Sequence, residues 1–220
     1  MSALYTLSGI RQVYAGRLAL EIDSLSIGAG SIVGVVGPNG SGKSTLMRML
    51  AFLEVPQAGE VRFDGMTVGG ASNGAKAALL RKHVTLLTQE PYLLRRSVAE
   101  NVSYGLSVRG LRNYEQTVRA ALEEVGLPPA EFLHRQWFEL SGGEAQRVAL
   151  AARIALRPKV LLMDEPTSSL DEESTERIRV AAMHMRDGHG TTLVIVSHDR
   201  DWLHSVADTM VTLRNGRLVS

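Results

Sequence analysis

The chain has 220 residues, and its 24 lysine and arginine residues against 23 aspartate and glutamate residues give a formal net charge of +1. This near-neutral balance gives no electrostatic reason to expect a nucleic-acid partner. The absence of cysteine excludes disulfides, cysteine-based zinc sites and thiol catalysis. A chain of this length with 45% hydrophobic residues can bury a sizeable core without such cross-links.

Membrane and export signals are absent from the sequence. No stretch reaches the roughly 18 apolar residues that suggest a membrane span, and the longest candidate, residues 25–36, is interrupted by Ser26 and three glycines. The first ten residues lack the basic start and apolar block of a signal peptide. We therefore expect a cytosolic chain that does not cross a bilayer by itself.

The predicted elements alternate in the manner of an α/β protein. Three strand-like stretches (5–14, 18–27 and 32–36) precede a glycine-rich turn and a helical pattern at 46–53. Short apolar runs at 84–87, 160–163 and 193–196 have the length of buried parallel strands, and a helical pattern follows each. This rhythm is typical of a doubly wound sheet, whose ligands bind beyond the carboxyl ends of the strands.

Residues 90–157 depart from this rhythm, because apolar residues at helical spacing dominate there and the segment 126–129 breaks the pattern. We interpret this region as a helical subdomain inserted into the α/β core, which comprises residues 1–89 and 158–220. No repeat or low-complexity run divides the chain, so residues 1–220 are predicted to form one folded unit.

A glycine-rich turn after the third predicted strand has the phosphate-binding P-loop pattern Gly37-x4-Gly42-Lys43-Ser44. Glycines let backbone N–H groups approach phosphate oxygens, and the helix that starts near Lys43 adds its own free N–H groups. Lys43 supplies a positive charge for the β- and γ-phosphates, and Ser44 supplies an oxygen for Mg²⁺. We predict a nucleotide site formed by Gly37, Pro38, Asn39, Gly40, Ser41, Gly42, Lys43, Ser44 and Thr45.

Two adjacent acids, Asp164 and Glu165, end the apolar run 160–163. An acid at the end of a buried strand is poorly solvated unless it meets a cation, and the Mg²⁺ of a bound nucleotide supplies one. We predict that Asp164 binds this ion and that Glu165 orients or deprotonates the attacking water. The alternative is a solvated acid pair that caps a helix ahead of Pro166.

A third motif, residues 140–144 (LSGGE) followed by Gln146 and Arg147, precedes the strand that ends in the acid pair. Together with the P-loop and the acids, in this order and spacing, it resembles the signature motif of the ABC ATPases. The resemblance covers essentially the whole chain. It implies an α/β P-loop NTPase fold with a parallel core sheet, an N-terminal antiparallel β portion and an inserted helical subdomain.

Four further positions resemble functional residues of that family. The resemblance implies that Tyr14 stacks on adenine and that His198 contacts the γ-phosphate. It also implies that Gln89 is the hinge glutamine, a catalytic residue and Mg²⁺ ligand, and that the stretch 168–171 is the D-loop, with Asp171 near the nucleotide.

The signature motif itself has a physical interpretation. Ser141, Gly142 and Gly143 open a helix predicted to run to about residue 156, whose free N–H groups form a second anion site. Glu144 stands where the family more often has glutamine, and we do not expect it to alter the phosphate contact. In the family, two such chains pair head to tail and clamp ATP between the P-loop of one and the signature of the other, so the resemblance implies an ATP-dependent homodimer.

The resemblance implies the ATP-binding and ATP-hydrolysing subunit of an ABC transporter, which works with MgATP on the inner face of the cell membrane. Because the sequence contains no span, integral membrane permease subunits must be separate chains, an arrangement commoner in prokaryotic importers, which also use an extracytoplasmic solute-binding protein. Residues 97–110 resemble ATPases of oxyanion importers, such as those for tungstate or phosphate. The chain ends soon after the predicted strand 210–213, so we expect no additional C-terminal regulatory domain.

Residues 90–98 resemble the stretch that receives the coupling helix of the membrane subunit. We expect exposed Tyr92, Leu93 and Leu94 beside Arg95 and Arg96; the alternative is an ordinary packed helix start. Three other functions stay open: an export or lipoprotein-release ATPase, a soluble ABC ATPase acting on DNA or ribosomes, and a P-loop small-molecule kinase. The long coiled coil of DNA-repair members and the second ATPase unit of translation members are both absent here.

Five histidines lie outside these motifs and show no ligand spacing shared with carboxylates in the sequence. We expect them to be surface residues and predict no protein-bound metal site among them: His83, His134, His184, His189 and His204.

Overall fold

The structure, a computed structural model, describes residues 3–69, 74–168 and 170–219. The chain separates into two compact units. The first comprises residues 1–86, 159–164 and 190–220, and the second comprises residues 87–158 and 165–189. No helix among the described residues is long and apolar enough to span a membrane.

Ten strands of the described chain form one sheet in the order β5-β4-β1-β2-β10-β9-β3-β8-β7-β6. One side of it is antiparallel: β1 pairs with β2 and with β4, and β4 pairs with β5. These strands are β1 (Ala3–Tyr14), β2 (Arg17–Gly28), β4 (Ala58–Phe63) and β5 (Met66–Val68). The sequence analysis did not predict the short β4–β5 hairpin, which turns at Asp64 and Gly65, both with positive φ.

The other side of the sheet contains parallel strands with a continuous apolar sequence. Strand β3 lies between β8 and β9, and β7 pairs with β8, all in parallel. Their carboxyl ends therefore meet at one edge, which is where doubly wound sheets bind ligands. The remaining strands are β3 (Ile32–Val36), β6 (Val84–Leu87), β7 (Val160–Asp164), β8 (Thr192–Val196), β9 (Thr209–Arg214) and β10 (Arg217–Val219).

The core of the first unit lies around helix α1 (Lys43–Leu50), which buries most of its apolar side chains. Three fully buried aromatic rings pack beneath it, with centroids 4.6–6.0 Å apart: Tyr5, Phe52 and Phe63. The Tyr5 hydroxyl donates a hydrogen bond of 2.8 Å to the carbonyl of Leu50, so this buried polar group is satisfied. Helices α2 (Gly74–Leu80) and α8 (Arg200–Val206) complete the unit.

The second unit is helical, and its central helix, α6, packs against three others: α3, α4 and α7. Helix α3 starts with a capping box between Ser97 and Glu100, which satisfies two backbone N–H groups. The bounds are α3 (Val98–Val108), α4 (Glu115–Glu124), α5 (Pro129–Phe132), α6 (Gly142–Ile154) and α7 (Glu172–His189).

The fold class predicted from the sequence is confirmed, with its parallel core sheet, antiparallel β portion and helical subdomain. The strand predictions at 32–36 and 84–87 agree with β3 and β6 to the residue. The sequence analysis placed residues 158–220 in the α/β core, whereas helix α7 falls in the helical unit because it packs on α6. Ser169, in the predicted D-loop stretch 168–171, lies outside the described residues.

Candidate nucleotide-binding site

The predicted P-loop is a tight turn between β3 and α1 that has no room for side chains at two glycines. Gly37 has φ +153°, and a Cβ there would lie 2.2 Å from the carbonyl oxygen of Leu213. Gly42 has φ +105°, and a Cβ there would lie 2.6 Å from the carbonyl oxygen of Ala19. Both glycines are required by this backbone, independently of any ligand.

The N-terminus of α1 has no side-chain cap, because its N-cap residue is Gly42. Helix N-termini of this kind present free N–H groups and a partial positive charge to an anion. The buried Lys43 extends over the turn, and its Nζ donates to the carbonyls of Gly37 (2.7 Å) and Pro38 (3.1 Å). Ser41 Oγ is buried and has no hydrogen-bond partner among the described residues. An anion in this turn would meet several donors and no acid from the first turn of α1.

Asp164, the last residue of β7, accepts a hydrogen bond from Ser44 at the start of α1. Burial raises the pKa of this carboxyl, although the Ser44 hydroxyl and the positive charge of Lys43 act in the opposite direction. The structure therefore brings together the hydroxyl oxygen of Ser44 and the poorly solvated carboxyl of Asp164 beside the P-loop. This is the donor chemistry that Mg²⁺ prefers.

Two other predicted residues belong to the same unit. His198 is exposed and follows β8, two residues beyond Val196, which pairs with Asp164 across the parallel ladder. The loop of His198 therefore leaves the same edge of the sheet as the P-loop. Tyr14, which is 42% exposed, ends β1, and its hydroxyl donates to Glu54, which also binds Arg48 of α1.

The signature motif forms the N-terminus of α6 in the second unit. Ser141 is the N-cap: its hydroxyl accepts from the N–H of Glu144 (3.2 Å), and the Glu144 carboxylate accepts from the N–H of Ser141 (2.7 Å). The same carboxylate lies 3.4 Å from Arg135. Both Ser141 and Gly142 are exposed, and a Cβ on Gly142 would meet nothing within 4 Å.

The second signature glycine is required by packing. A Cβ on Gly143 would lie 2.2 Å from Oγ of Ser174 and 3.3 Å from Oδ2 of Asp171. Asp171 accepts from both the N–H (2.8 Å) and the hydroxyl (3.0 Å) of Ser174, and these bonds lower the pKa of its carboxyl. The predicted D-loop aspartate therefore caps α7 and lies against the signature helix within one unit.

Gln146 is a residue whose position the sequence analysis did not interpret. It is 1% exposed, and its Nε2 donates to the carbonyls of Thr88 (3.1 Å) and Pro166 (3.2 Å). These carbonyls are adjacent in the chain to the predicted site residues Gln89, which is exposed, and Glu165, which is buried. The available signal was a polar residue on the apolar face of a predicted helix.

Glu165 has an unusual backbone for a residue with a side chain. Its φ is +51°, and its carbonyl accepts from the N–H and hydroxyl of Ser168 (3.3 and 3.1 Å). Left-handed backbone at a non-glycine residue is a form of strain that concentrates at functional sites. The strand ends at this turn, and the Glu165 side chain is buried there.

Comparison with known proteins identifies the family to which these features belong. The sequence profile of the ABC transporter family matches residues 20–168, which include the P-loop, the signature motif and both acids. The chain belongs to the ABC transporter family. It is an ATP-binding subunit of that family and hydrolyses ATP.

Relatives with similar sequences support this membership along nearly the whole chain. The ATP-binding protein of a tungstate uptake system from Peptoclostridium acidaminophilum is 34% identical over 97% of this chain and 95% of its own. A lipoprotein-releasing ATP-binding protein from Rhodospirillum rubrum is 40% identical over 96% and 94%. An Fe(3+) import ATP-binding protein from Streptomyces coelicolor is 38% identical over 98% of this chain, which spans 61% of that longer relative.

Solved structures share the fold of this ABC ATPase. The ATP-binding cassette MJ0796, in a dimeric post-hydrolysis state with ADP and phosphate, matches with a TM-score of 0.89 and 27% identity over 98% of this chain and 97% of its own. The cbiO1 protein from Clostridium perfringens, part of an ABC transporter complex, matches with a TM-score of 0.87 and 28% identity over 100% and 88%.

Proposed function

We propose that this ABC ATPase powers a solute importer, with an oxyanion as the transported solute, from the cytoplasmic face of the membrane. The observation that carries the proposal is the end-to-end match to a tungstate uptake ATP-binding protein, at 97% of this chain and 95% of that one. Relatives named for Fe(3+) and methionine import support import as the direction of transport. The partners are separate permease subunits and an extracytoplasmic solute-binding protein.

The first unit binds the nucleotide. The uncapped N-terminus of α1 and the P-loop N–H groups bind the β- and γ-phosphates, and Lys43 exchanges its two carbonyl partners for phosphate oxygens. Ser41, buried without a partner among the described residues, supplies a further donor from its hydroxyl. Tyr14 lies at the end of β1 and is 42% exposed, which suits an aromatic ring on which adenine stacks.

The residues beside the P-loop fit Mg²⁺. Ser44 and Asp164 offer two oxygen ligands that are already in hydrogen-bond contact. The family resemblance assigns Gln89, which is exposed, as a further ligand of this ion. When bound, Mg²⁺ neutralises charge that develops on the phosphates. The raised pKa of Asp164 supports this fit, since burial disfavours the carboxylate and a bound cation would favour it.

Glu165 is the residue that we assign to the attacking water. Its side chain is buried and its left-handed backbone fixes the direction in which it points. A carboxylate held in this way orients the water and accepts its proton as the bond to the γ-phosphate breaks. His198, at the same sheet edge as the P-loop, contacts the γ-phosphate.

The second unit supplies a phosphate contact to a second copy of the chain. Ser141 and Gly142 are exposed at the N-terminus of α6, and the backbone there has room for a ligand. Pairing of two copies head to tail places this terminus against the γ-phosphate held by the partner, which gives a dimer with two nucleotides between its subunits. The solved dimer of MJ0796 supports this arrangement for the present chain.

An exposed apolar surface of the second unit fits the permease. Tyr92 and Phe138 are 77% and 68% exposed, and the guanidinium of Arg95 lies 5.9 Å from the ring of Trp137. The buried Asn101 holds the turn that carries Arg95: it accepts from the N–H of Leu94 (2.7 Å) and donates to the Leu94 carbonyl (3.1 Å). Clusters of exposed aromatic and arginine side chains are typical of an interaction site.

Charge reversal tests this surface. We expect the double variant Arg95→Glu, Arg96→Glu to lose association with the permease and to lose transport. The measurement is co-purification from membranes and solute uptake, and ATP binding by the isolated chain verifies folding. Arg119→Glu, on α4 outside the surface, is the matched control. Normal uptake by the double variant would show that this surface does not bind the permease.

A lipoprotein-release ATPase is the second candidate. It is favoured by the 40% identity to the Rhodospirillum rubrum relative, whose length the chain also spans almost completely. The two candidates differ in their partners, since an importer works with a permease and a solute-binding protein and a release system works with membrane proteins that bind lipoproteins.

Partner capture distinguishes these functions. The tagged Glu165→Gln variant, expressed in its own host, is solubilised in mild detergent with MgATP, and the proteins that co-purify are identified. We expect a multi-span permease, and growth or uptake assays with tungstate then test the solute. Lipoprotein-binding membrane partners would establish release instead of import. Soluble or nucleic-acid partners without a membrane protein would overturn both transport functions.

The same variant tests the hydrolysis mechanism. Glutamine is nearly isosteric with glutamate but cannot accept the proton of the water. We expect MgATP binding to persist while the hydrolysis rate falls by roughly 10²-fold or more, so that the ATP-bound dimer accumulates on gel filtration. An unaltered hydrolysis rate would mean that a residue other than Glu165 activates the attacking water.

A further inference from the structure

Three potential metal ligands converge in the helical unit, away from the nucleotide residues of that unit. Among the described residues, the carboxylate of Glu124 and the imidazoles of His184 and His189 offer ligand atoms that all lie within 4.8 Å of one another. Glu124 is the last residue of α4, and both histidines lie in the final turns of α7. From this geometry we propose a transition-metal site, of the kind that binds Zn²⁺.

The distances are those of ligands that need only a small movement to share one ion. His184 Nδ1 lies 4.0 Å from Glu124 Oε2, and His189 Nε2 lies 4.0 Å from Glu124 Oε1. The two imidazole rings meet edge to face with centroids 5.6 Å apart. Zinc ligands bind at about 2.0–2.2 Å, so tetrahedral ligand atoms lie less than about 4 Å apart, and rotation of the histidine side chains closes the difference.

The acid of the site is largely buried and lacks a hydrogen-bond donor at one oxygen. The Glu124 side chain is 21% exposed, and its Oε2 is buried without a hydrogen-bond donor among the described residues. A buried carboxylate oxygen without a donor is costly, and a cation between it and the histidines removes that cost. The side chains of His184 and His189 are 56% and 29% exposed, so an ion can enter from solvent.

The donor set selects the class of metal. Two imidazoles and one carboxylate suit Zn²⁺ and similar transition metals, whereas Mg²⁺ prefers oxygen ligands alone. Three protein ligands leave one position of a tetrahedral ion for water. The ion would join the C-terminal ends of α4 and α7. The residues that follow α4 already pack closely on α7, because a Cβ on Gly126 would lie 2.9 Å from Cδ of Arg177.

The sequence analysis predicted no metal site at these histidines, because Glu124 is far from them in the sequence. Glu124 lies 60 positions before His184 (184 − 124). Only the packing of the helices places the three side chains together, so a search for local spacing could not find them.

The test is a titration of the whole chain with Zn²⁺ by calorimetry, in a non-coordinating buffer with excess Mg²⁺ and no nucleotide. The excess Mg²⁺ occupies oxygen-ligand sites such as the one at Asp164 without competing for imidazoles. We expect one ion per chain. Each of Glu124→Gln, His184→Gln and His189→Gln should weaken binding by roughly tenfold or more, since loss of residues that merely support ligands already costs about that much.

Matched variants and a second readout make the result specific. His134→Gln and His204→Gln, which remove exposed histidines elsewhere, should bind Zn²⁺ as the unaltered chain does. Co²⁺ in place of Zn²⁺ should give visible absorption of a four-coordinate ion, which the His184→Gln variant loses. Circular dichroism verifies that each variant folds. The proposal is overturned if the unaltered chain binds no Zn²⁺ under these conditions, or if the three site variants bind it as tightly as the two controls.

Discussion

The two helix N-termini that we propose to bind phosphate are built in opposite ways. At α1 the N-cap is a glycine, no side chain caps the helix, and the first turn contains no acid. At α6 the N-cap is Ser141, and its capping box with Glu144 satisfies both backbone N–H groups involved. The first terminus has no side-chain cap at all, whereas the second is partly capped and leaves the N–H groups of Gly142 and Gly143 outside its capping box.

This difference assigns different tasks to the two units. A terminus with unsatisfied donors, a buried lysine and a buried serine hydroxyl is suited to bind nucleotide by itself. A partly capped, exposed terminus is suited to add a contact when another molecule brings a phosphate to it. We therefore propose that the first unit determines whether ATP binds and that the second determines whether bound ATP is hydrolysed in a dimer.

Two substitutions, one in each unit, should separate ATP binding from ATP hydrolysis. Lys43→Ala should reduce ATP affinity by about two orders of magnitude or more, because it removes the buried positive charge of the cradle, while Ser141→Arg should keep ATP affinity and lose turnover. Fluorescent-nucleotide binding and phosphate release measure the two properties, and Lys82→Ala, which removes an exposed lysine outside the P-loop, is the matched control. Normal turnover by Ser141→Arg would show that the signature terminus has no role in hydrolysis.

The next effect concerns the way the second unit positions its catalytic loops. Gln146→Met removes the amide that bonds the carbonyls of Thr88 and Pro166 but keeps the volume of the side chain. Leaving two buried acceptors unsatisfied costs on the order of 1–3 kcal/mol each, and the loops of Gln89 and Glu165 should loosen. We expect kcat to fall roughly tenfold with the ATP dissociation constant unchanged.

A purely structural role for Gln146 makes a different prediction. In that case the thermal midpoint would fall while the kcat of the remaining folded protein stayed normal. Gln116→Met, on the exposed face of α4, is the matched control and should change neither quantity.

A third prediction uses the raised pKa of Asp164. Because its folded pKa lies above its unfolded value, ionisation of this carboxyl destabilises the fold, and the penalty vanishes as the pH falls below the unfolded value. Asp164→Asn should therefore stabilise the nucleotide-free chain at pH 7, because the amide carries no charge for burial to penalise, and should abolish hydrolysis.

Urea unfolding without Mg²⁺ at pH 7 and pH 4 measures this effect. The stabilisation should shrink at the lower pH, since protonation of Asp164 removes part of the penalty that burial imposes on its charge. Asp64→Asn is an informative contrast, because the ion pair with Lys159 lowers the pKa of Asp64 and its loss should not stabilise the chain. Equal stability of Asp164→Asn and the unaltered chain at pH 7 would contradict the burial argument.

Sequence could predict the parts of this molecule that depend on short-range patterns. The P-loop, the strands that flank it and the signature N-cap follow from glycine, serine and apolar spacing that local physics constrains. The contacts of Gln146, the approach of Gly143 to Ser174 and the convergence of Glu124 with two histidines join residues 20 or more positions apart. They depend on how α6 packs between α4 and α7, which no local pattern specifies.

The charge of Glu144 should have a small effect on phosphate binding at the start of α6, the terminus that differs from that of α1. Glu144 places a negative charge in the first turn of α6, at the end where a phosphate must arrive, and Arg135 at 3.4 Å offsets only part of it. Glutamine at this position keeps the capping box and removes the charge. A charge at a helix terminus is worth about 0.3–1 kcal/mol, so Glu144→Gln should lower the ATP concentration for half-maximal turnover roughly two- to fivefold.

The effect should fade at high salt, as screening requires, and Glu123→Gln on the exposed face of α4 should show no such change. An effect of Glu144→Gln that is independent of salt would mean that the side chain acts through its hydrogen bonds and not through its charge.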